Sequence, residues 1–409
     1  MTWFANPRVF LAPGLVMILV AIGGRYTLDR AGFTDLAWVD LRVIGLAVAL
    51  VVLTVDIARR PRPAGGHRRE GWLVAAGLFF VFQIASGLWA PAAARVGPQT
   101  LDLVLMAALI IAFYLYAVGD PETVVRTGFL LFYLAAVIFA LAALFINGPG
   151  EQGRYSAFGG GPNVFVRIEI LGIISAIALT LFTRRLLPLL AVPLFLLAAV
   201  LSGSRAGLLA GVVVGAAALL KIRHRLAAGP VVAATAVLAF AGGVIWAFAP
   251  PAFTDLFQER FVEQTVQQRY LSDRTDIWAA AWRLAVDHPI AGTGLDGFYG
   301  LVGVNQNVEY PHNYLLGVAA EGGLIGIGLL TAAIVLWAST VRGGGAHPRL
   351  TGLAVAAAVF VALSSLFSGD YYDARLAWLF AAMAAAAAVT PAAAGTGDPS
   401  APEREAVSP

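Results

Sequence analysis

Apolar runs of about twenty residues recur from one end of this chain to the other, and each is the length a helix needs to cross a bilayer. They fall near 9–24, 42–58, 71–89, 101–119, 127–147, 164–183, 186–203, 205–220, 229–249, 313–340, 351–367 and 374–390. In lipid, every backbone N–H and C=O must be satisfied within the protein, so such runs have to be helices. The expected fold is therefore all-α: a polytopic membrane domain over 1–390 with about twelve transmembrane helices. The runs at 186–203 and 205–220 are short, and the first contains Pro188 and Pro193, which suits a kinked or partly re-entrant pair. Residues 391–409, rich in Ala, Pro, Gly and Ser, are expected to form a disordered tail.

Composition agrees with lipid as the solvent. Of the 409 residues 59% are hydrophobic and only 12% charged, about half the charged share of a soluble domain. The pI of 9.3 does not point to nucleic acid, because the basic residues form short clusters between apolar runs and make no continuous face. The absence of cysteine excludes disulfides, thiolate metal sites and cysteine nucleophiles. The first apolar run has no small-residue cleavage site and reads as a retained span.

Loop charge sets the orientation. Arg59, Arg60, Arg62, Arg68 and Arg69 follow the second run, Arg184 and Arg185 the sixth, Lys221, Arg223 and Arg225 the eighth, and Arg342 and Arg349 the tenth. All follow even-numbered spans, so the positive-inside rule places that face, and both termini, in the cytoplasm. The opposite face then holds the loops near 25–41, 90–100, 148–163 and 250–312, the Ser204–Arg205 junction and the short segment 368–373. The largest of these, 250–312, carries more acidic than basic residues and is expected to be a functional outer loop with amphipathic helices.

The polar motifs collect on that outer face. In Ser202-Gly203-Ser204-Arg205, Ser204 is a candidate N-cap and Arg205 falls in the first helical turn. A cation there opposes the helix dipole. An anion bound by free N–H groups and the guanidinium accounts for it, and so does an arginine snorkelling to the interface. In the block Arg269–Trp278, Asp273 can cap a helix with Asp276 three residues in, which puts Arg274 at its start. Arg274 either joins an anion site or pairs with Asp273 or a glutamate of the same loop. Ile277, Trp278, Ala281, Trp282 and Ala285 form one stripe, as in a helix resting at the membrane interface.

Pro289 ends that helix, and Gly292-Thr293-Gly294 suits a tight turn or close approach of backbone to a ligand. His312 begins the tenth span after Pro311. It is either a general acid or base or a structural histidine at a helix start. Arg154 and Asn163 in the fourth outer segment, together with Arg167, and Asp370 before the last span, complete the set. Asp370 either orients an arginine or the histidine or caps the last span, and Tyr371 and Tyr372 read as common interface aromatics. The other histidines, His67, His224, His288 and His347, show no metal-ligand spacing, and no Walker or dinucleotide fingerprint occurs.

Taken in order, the Arg154–Asn163 loop, Gly203-Ser204-Arg205, Arg274 through Trp278 with Pro289 and Gly294, His312-Asn313-Tyr314 with Glu321-Gly322-Gly323-Leu324, and the Asp370–Arg375 turn resemble the O-antigen ligase and O-antigen polymerase superfamily of bacterial envelope glycosyltransferases. The resemblance covers mainly 150–380; the first five spans carry no motif of it. It implies a multi-pass protein of the inner membrane whose site faces the periplasm. It further implies inverting transfer of a glycan from undecaprenyl pyrophosphate to an acceptor hydroxyl, with no cofactor, metal or nucleotide sugar.

In that setting Arg205 and Arg274 are expected to bind the donor pyrophosphate and His312 to act on the acceptor hydroxyl. Arg154, Asn163, Arg269, Asn313 and Asp370 are expected to support them. The acceptor is expected to be lipid A-core, as in a ligase. A polymerase acting on a second lipid-linked repeat and a protein O-oligosaccharyltransferase are the enzymatic alternatives. A lipid-glycan flippase is the alternative from another class, but transporters place polar groups near the bilayer midplane, whereas these cluster at one face.

Overall fold

The computed structural model describes residues 13–24, 26–31, 33–36, 38–59, 70–150, 153–222, 242–243, 254, 257–259, 263, 274–342 and 347–389. Among them there is no strand beyond two isolated bridges, Thr27 with Asp40 and Pro149 with Tyr155. The principal helices are α1 (Pro13–Gly23), α2 (Leu41–Arg59), α3 (Gly71–Ala85), α4 (Val96–Ala117), α5 (Pro121–Ala142), α6 (Pro162–Thr183), α7 (Val192–Leu201), α8 (Arg205–Ile222), α9 (Arg274–Asp287), α10 (Tyr314–Arg342), α11 (Pro348–Ser368) and α12 (Arg375–Ala388).

Among the described residues six segments are long and apolar enough to cross a membrane: Gly71–Trp89, Val96–Ala117, Pro121–Asn147, Pro162–Thr183, Tyr314–Arg342 and Pro348–Ser368. Five shorter apolar helices, Gly14–Gly23, Leu41–Val55, Leu187–Leu201, Arg205–Leu220 and Arg375–Ala388, occupy other runs expected to span. The expected span 229–249, the tail 391–409, Arg269 and Asp273 lie outside the described residues, as does most of 250–273.

Helix boundaries follow local chemistry. Asp120 caps α5, its Oδ1 accepting from the Thr123 amide at 3.1 Å, with Pro121 at the first helical position. Proline also opens α6 and α11. The last helix runs through the middle of the bundle, packed against α1, α4, α5, α10 and α11. Its Ala382 and Ala384 to Ala388 are all buried. Lipid is as apolar as a leucine side chain, so helices here associate by close packing, and an alanine-rich helix lets its neighbours' backbones approach.

The helix α10 is broken. At Gly323 the backbone turns to φ 57°, ψ −155°, a conformation essentially reserved for glycine. The freed amides find partners in the segment after α9: Leu324 N donates to Pro289 O at 2.8 Å and Ile325 N to Ile290 O at 3.1 Å. In the reverse direction Thr293 N donates to Ala320 O and Gly294 N to Glu321 O. A side chain at Gly292 would collide with the Glu321 backbone. The glycines of 292–294 therefore serve a close approach between two stretches of chain, and not the approach to a ligand that their spacing also allowed.

The apolar stripe of α9 likewise turns inward. Ala280 and Ala281 are buried, and Ile277 and Leu284 pack with Phe298, Ala320 and Leu316 beside α10. Trp278 faces Phe367 of α11, with ring centroids 6.3 Å apart. Trp282, 61% exposed, is the one tryptophan of the stripe left facing outward. The expected interfacial helix is thus docked on the protein.

Candidate functional site

One end of the bundle gathers the polar junctions. At the α7–α8 turn, Arg154 Nε donates to Ser202 O at 2.9 Å. Ser202 Oγ accepts from Ser204 N at 3.1 Å, and Ser204 Oγ donates to Asn163 Oδ1 at 2.7 Å. Gly203, at φ 61°, makes the turn. Arg154 and Asn163 thus hold the turn from two sides and fix Arg205 as the first residue of α8, where the sequence placed it.

Arg274 is the first residue of α9. Its guanidinium is held below the usual arginine range, first by burial and then by the charge of Arg205, while Tyr310 opposes the shift. Two cations separated by about seventy positions in the chain therefore stand within electrostatic range.

His312 lies just before α10. Asn313 is the actual cap, its Oδ1 accepting from Leu316 N at 3.0 Å, so Asn313 has a structural task and His312 is released from one. His312 sits in the left-handed region at φ 54°, its ring 4.3 Å from that of Tyr310, and its Nδ1 is buried with no hydrogen-bond partner. A non-glycine residue held there is a sign that the surrounding structure imposes the geometry. Burial, and after it the charge of Arg274, pushes the imidazole down to about 4, so it is neutral at ordinary pH. Tyr310 is pushed up to about 12 by burial and by Asp370, against the charges of Arg167 and Arg274.

Asp370 caps its own turn, accepting from Asp373 N at 2.8 Å. Burial pushes its carboxyl up, opposed by the Tyr372 amide and by Arg167 and Arg375. Of the two readings of Asp370, the one that has it face arginines fits; the last helix is not capped by it, because its N-cap is Ala374 with no side-chain cap and Asp370 closes the turn before. The charge acting on His312 is that of Arg274.

A second set of residues, none given a place in the site from the sequence, holds these pieces together. Glu321, in the turn of α10 before the break, is 2% exposed. Its carboxylate accepts from Asp296 N at 3.1 Å, Phe298 N at 3.2 Å, Tyr371 Oη at 2.6 Å and Tyr372 Oη. Tyr371 and Tyr372 are therefore buried ligands of a carboxylate and not interface anchors. Asp296 in turn accepts from Arg95 N at 2.7 Å, Arg95 Nε at 3.1 Å and Gln99 Nε2 at 3.2 Å. The legible signal was a lone glutamate inside an apolar run, which needs partners wherever it is buried.

Among the described residues no group of three or more His, Asp or Glu side chains could hold a metal ion.

These features define a class: an all-helical multi-pass membrane protein with cations and a neutral histidine converging at one end of the bundle. Residues 189–331 match the model of the O-antigen ligase family, in line with the resemblance of the motifs. The match covers roughly a third of the chain, from α7 into α10, and contains Arg205, Arg274, His312 and Glu321. No curated protein matches the chain.

Proposed function

We propose that the protein transfers a glycan from undecaprenyl pyrophosphate to an acceptor hydroxyl at the periplasmic face of the inner membrane, with lipid A-core as the acceptor. The supporting observation is the nearness of Arg205 and Arg274, from the first turns of two helices, beside the neutral His312, whose Nδ1 has no hydrogen-bond partner.

Two like charges brought together at half-buried positions repel, and an anion between them offsets the cost. A diphosphate meets that need. As the acceptor oxygen attacks the anomeric carbon, the bond to the pyrophosphate oxygen breaks and negative charge grows on the leaving group. Arg205 and Arg274 stabilise that charge. His312 takes the hydroxyl proton through a ring nitrogen. Its low basicity in the empty site rises when the donor's negative charge arrives beside it. In this reading 1–390 forms one membrane domain of about twelve crossings, 250–312 lies in the periplasm over the site, and 391–409 is a cytoplasmic tail. The loop excludes water, which competes as an acceptor.

The test is the envelope glycolipids of a deletion strain. Loss of polymer from lipid A-core with accumulation of lipid-linked polymer supports the ligase reading. Lipid A-core capped with single repeats assigns a polymerase. Unchanged glycolipids with an unmodified secreted glycoprotein assign protein glycosylation, and lipid-linked glycan trapped in the cytoplasmic leaflet assigns a flippase.

A further inference from the structure

Arg167 has no task in the account above, yet the fold delivers it to the same place. It follows Asn163 by one helical turn on α6, and residues four apart share a helix face. Asn163 touches Ser204, the neighbour of Arg205. On its other side Arg167 Nη2 donates to Ser368 Oγ at 2.9 Å, two residues before Asp370. The side chain thus stands between the start of α8 and the turn that joins α11 to α12.

Its surroundings leave it incompletely satisfied. Arg167 is 7% exposed, and its Nε is buried with no hydrogen-bond partner. Such a donor is destabilising while it stays unpaired, and a ligand that accepts from it relieves the cost. Tyr310 lies in the field of both Arg167 and Arg274, and Arg274 lies in the field of Arg205. Three guanidinium groups, from α6, α8 and α9, are therefore linked through Tyr310 and Arg274: Arg167 and Arg274 act on Tyr310, Arg205 acts on Arg274, and Arg274 acts on His312. Two carboxylates act on Tyr310 from nearby, Asp370 and Glu309, and the Glu309 side chain is 74% exposed and paired with Arg95 at 3.7 Å. Glu169, two residues further along α6, sits on another face of that helix.

We propose that Arg167 is a third phosphate-binding arginine, its free Nε–H donating to the donor's pyrophosphate, and that it makes the site selective for a lipid diphosphate over a lipid monophosphate. This rests on the functional reading above and deepens it. Two arginines suffice for the one to two charges of a monophosphate; a third, held on α6 beside Ser368, is matched by an anion with a second phosphoryl group. The planar fork of arginine can serve Ser368 through one nitrogen and a phosphate oxygen through another.

The test uses the full-length protein in detergent with two probes, farnesyl diphosphate and farnesyl monophosphate. Wild-type protein is expected to bind the diphosphate more tightly. Arg167→Gln is expected to lose about 10- to 100-fold in diphosphate affinity, the range of a hydrogen bond to a charged group, while monophosphate affinity changes little. Arg167→Lys keeps the charge without the fork and is expected to recover part of the loss. It is the variant to read if Arg167→Gln lowers the thermal transition. In transfer assays the loss should appear in the donor KM and not in the acceptor KM. Equal loss for both probes, or an unchanged preference for the diphosphate, overturns the role of Arg167 alone. A wild-type protein that binds neither probe overturns the functional reading itself.

Discussion

Tyr371 Oη donates to Glu321 Oε2 at 2.6 Å, across fifty positions of sequence, and so ties the turn before the last helix to the break in α10. Tyr372 reaches the same oxygen, and the amides of Asp296 and Phe298 bring in the segment after α9. His312 lies just before the helix that carries this carboxylate, and Asp370 precedes the two tyrosines. The relative placement of the site's parts therefore depends on one buried acid.

Removing that acid should destabilise the protein more than removing any one of its partners. Glu321→Ala removes the shared acceptor of two amides and two hydroxyls; Asp296 N and Tyr371 Oη keep Tyr372 Oη within reach, while Phe298 N and Tyr372 Oη lose theirs, at a cost of about 1–3 kcal/mol for each group left unsatisfied. Tyr371→Phe removes one hydrogen bond, worth about 1.5–3 kcal/mol when its acceptor is charged. Thermal unfolding in detergent should rank wild type above Tyr371→Phe and Tyr371→Phe above Glu321→Ala. The reverse order would show that the carboxylate does not organise this end of the bundle.

Arg205 and Arg274 should each resist replacement by lysine. Lysine keeps the charge but not the bidentate fork. Steady-state transfer by Arg205→Lys and by Arg274→Lys should stay well below wild type, with donor KM raised. Full activity in either variant would mean that a point charge is enough.

His312→Ala should leave protein level and donor binding largely intact while transfer falls about 100- to 10,000-fold, the usual contribution of acid–base assistance. His288→Ala, exposed at the end of α9, should be mild. Near-normal turnover by His312→Ala would reduce His312 to a packing residue.

The pH dependence follows from the depressed imidazole. The proton-accepting form is the neutral one, which is lost as pH falls through about 4 in the free enzyme. The acid limb of kcat/KM attributable to His312 should therefore lie near pH 4, below the ordinary histidine range. Arg274→Gln removes one of the two causes and should move that limb to higher pH. A limb that stays in place would separate His312 from Arg274.

Much of this was legible in the sequence. The turn at Ser202–Arg205 and the start of α8 at Arg205 follow from the capping residues there, and the nearness of Arg274 to Arg205 was expected from a shared site for an anion. What escaped depends on tertiary contact. Tyr371 and Tyr372 look alike whether they face lipid headgroups or a buried carboxylate. The stripe on α9 does not say whether lipid or α10 covers it. Gly292 and Gly323 reveal their conformations only once two stretches of chain meet. Arg95, in a short loop, is a surface charge until Asp296, about two hundred positions away, becomes its partner.

Topology can be checked apart from chemistry. A reporter fused after Arg69 or Arg223 is predicted to be cytoplasmic, and one within 255–300 periplasmic, because the basic clusters follow even-numbered spans. Periplasmic activity of the Arg69 fusion would invert the whole arrangement.

The most direct measurement is transfer by the purified protein supplied with an undecaprenyl-pyrophosphate-linked glycan and lipid A-core. The account predicts a glycan joined to lipid A-core with inverted anomeric configuration and release of undecaprenyl pyrophosphate, all abolished in Arg205→Gln. A protein that binds the donor but forms no glycosidic bond to any hydroxyl acceptor, or that transfers with retained configuration, would contradict it.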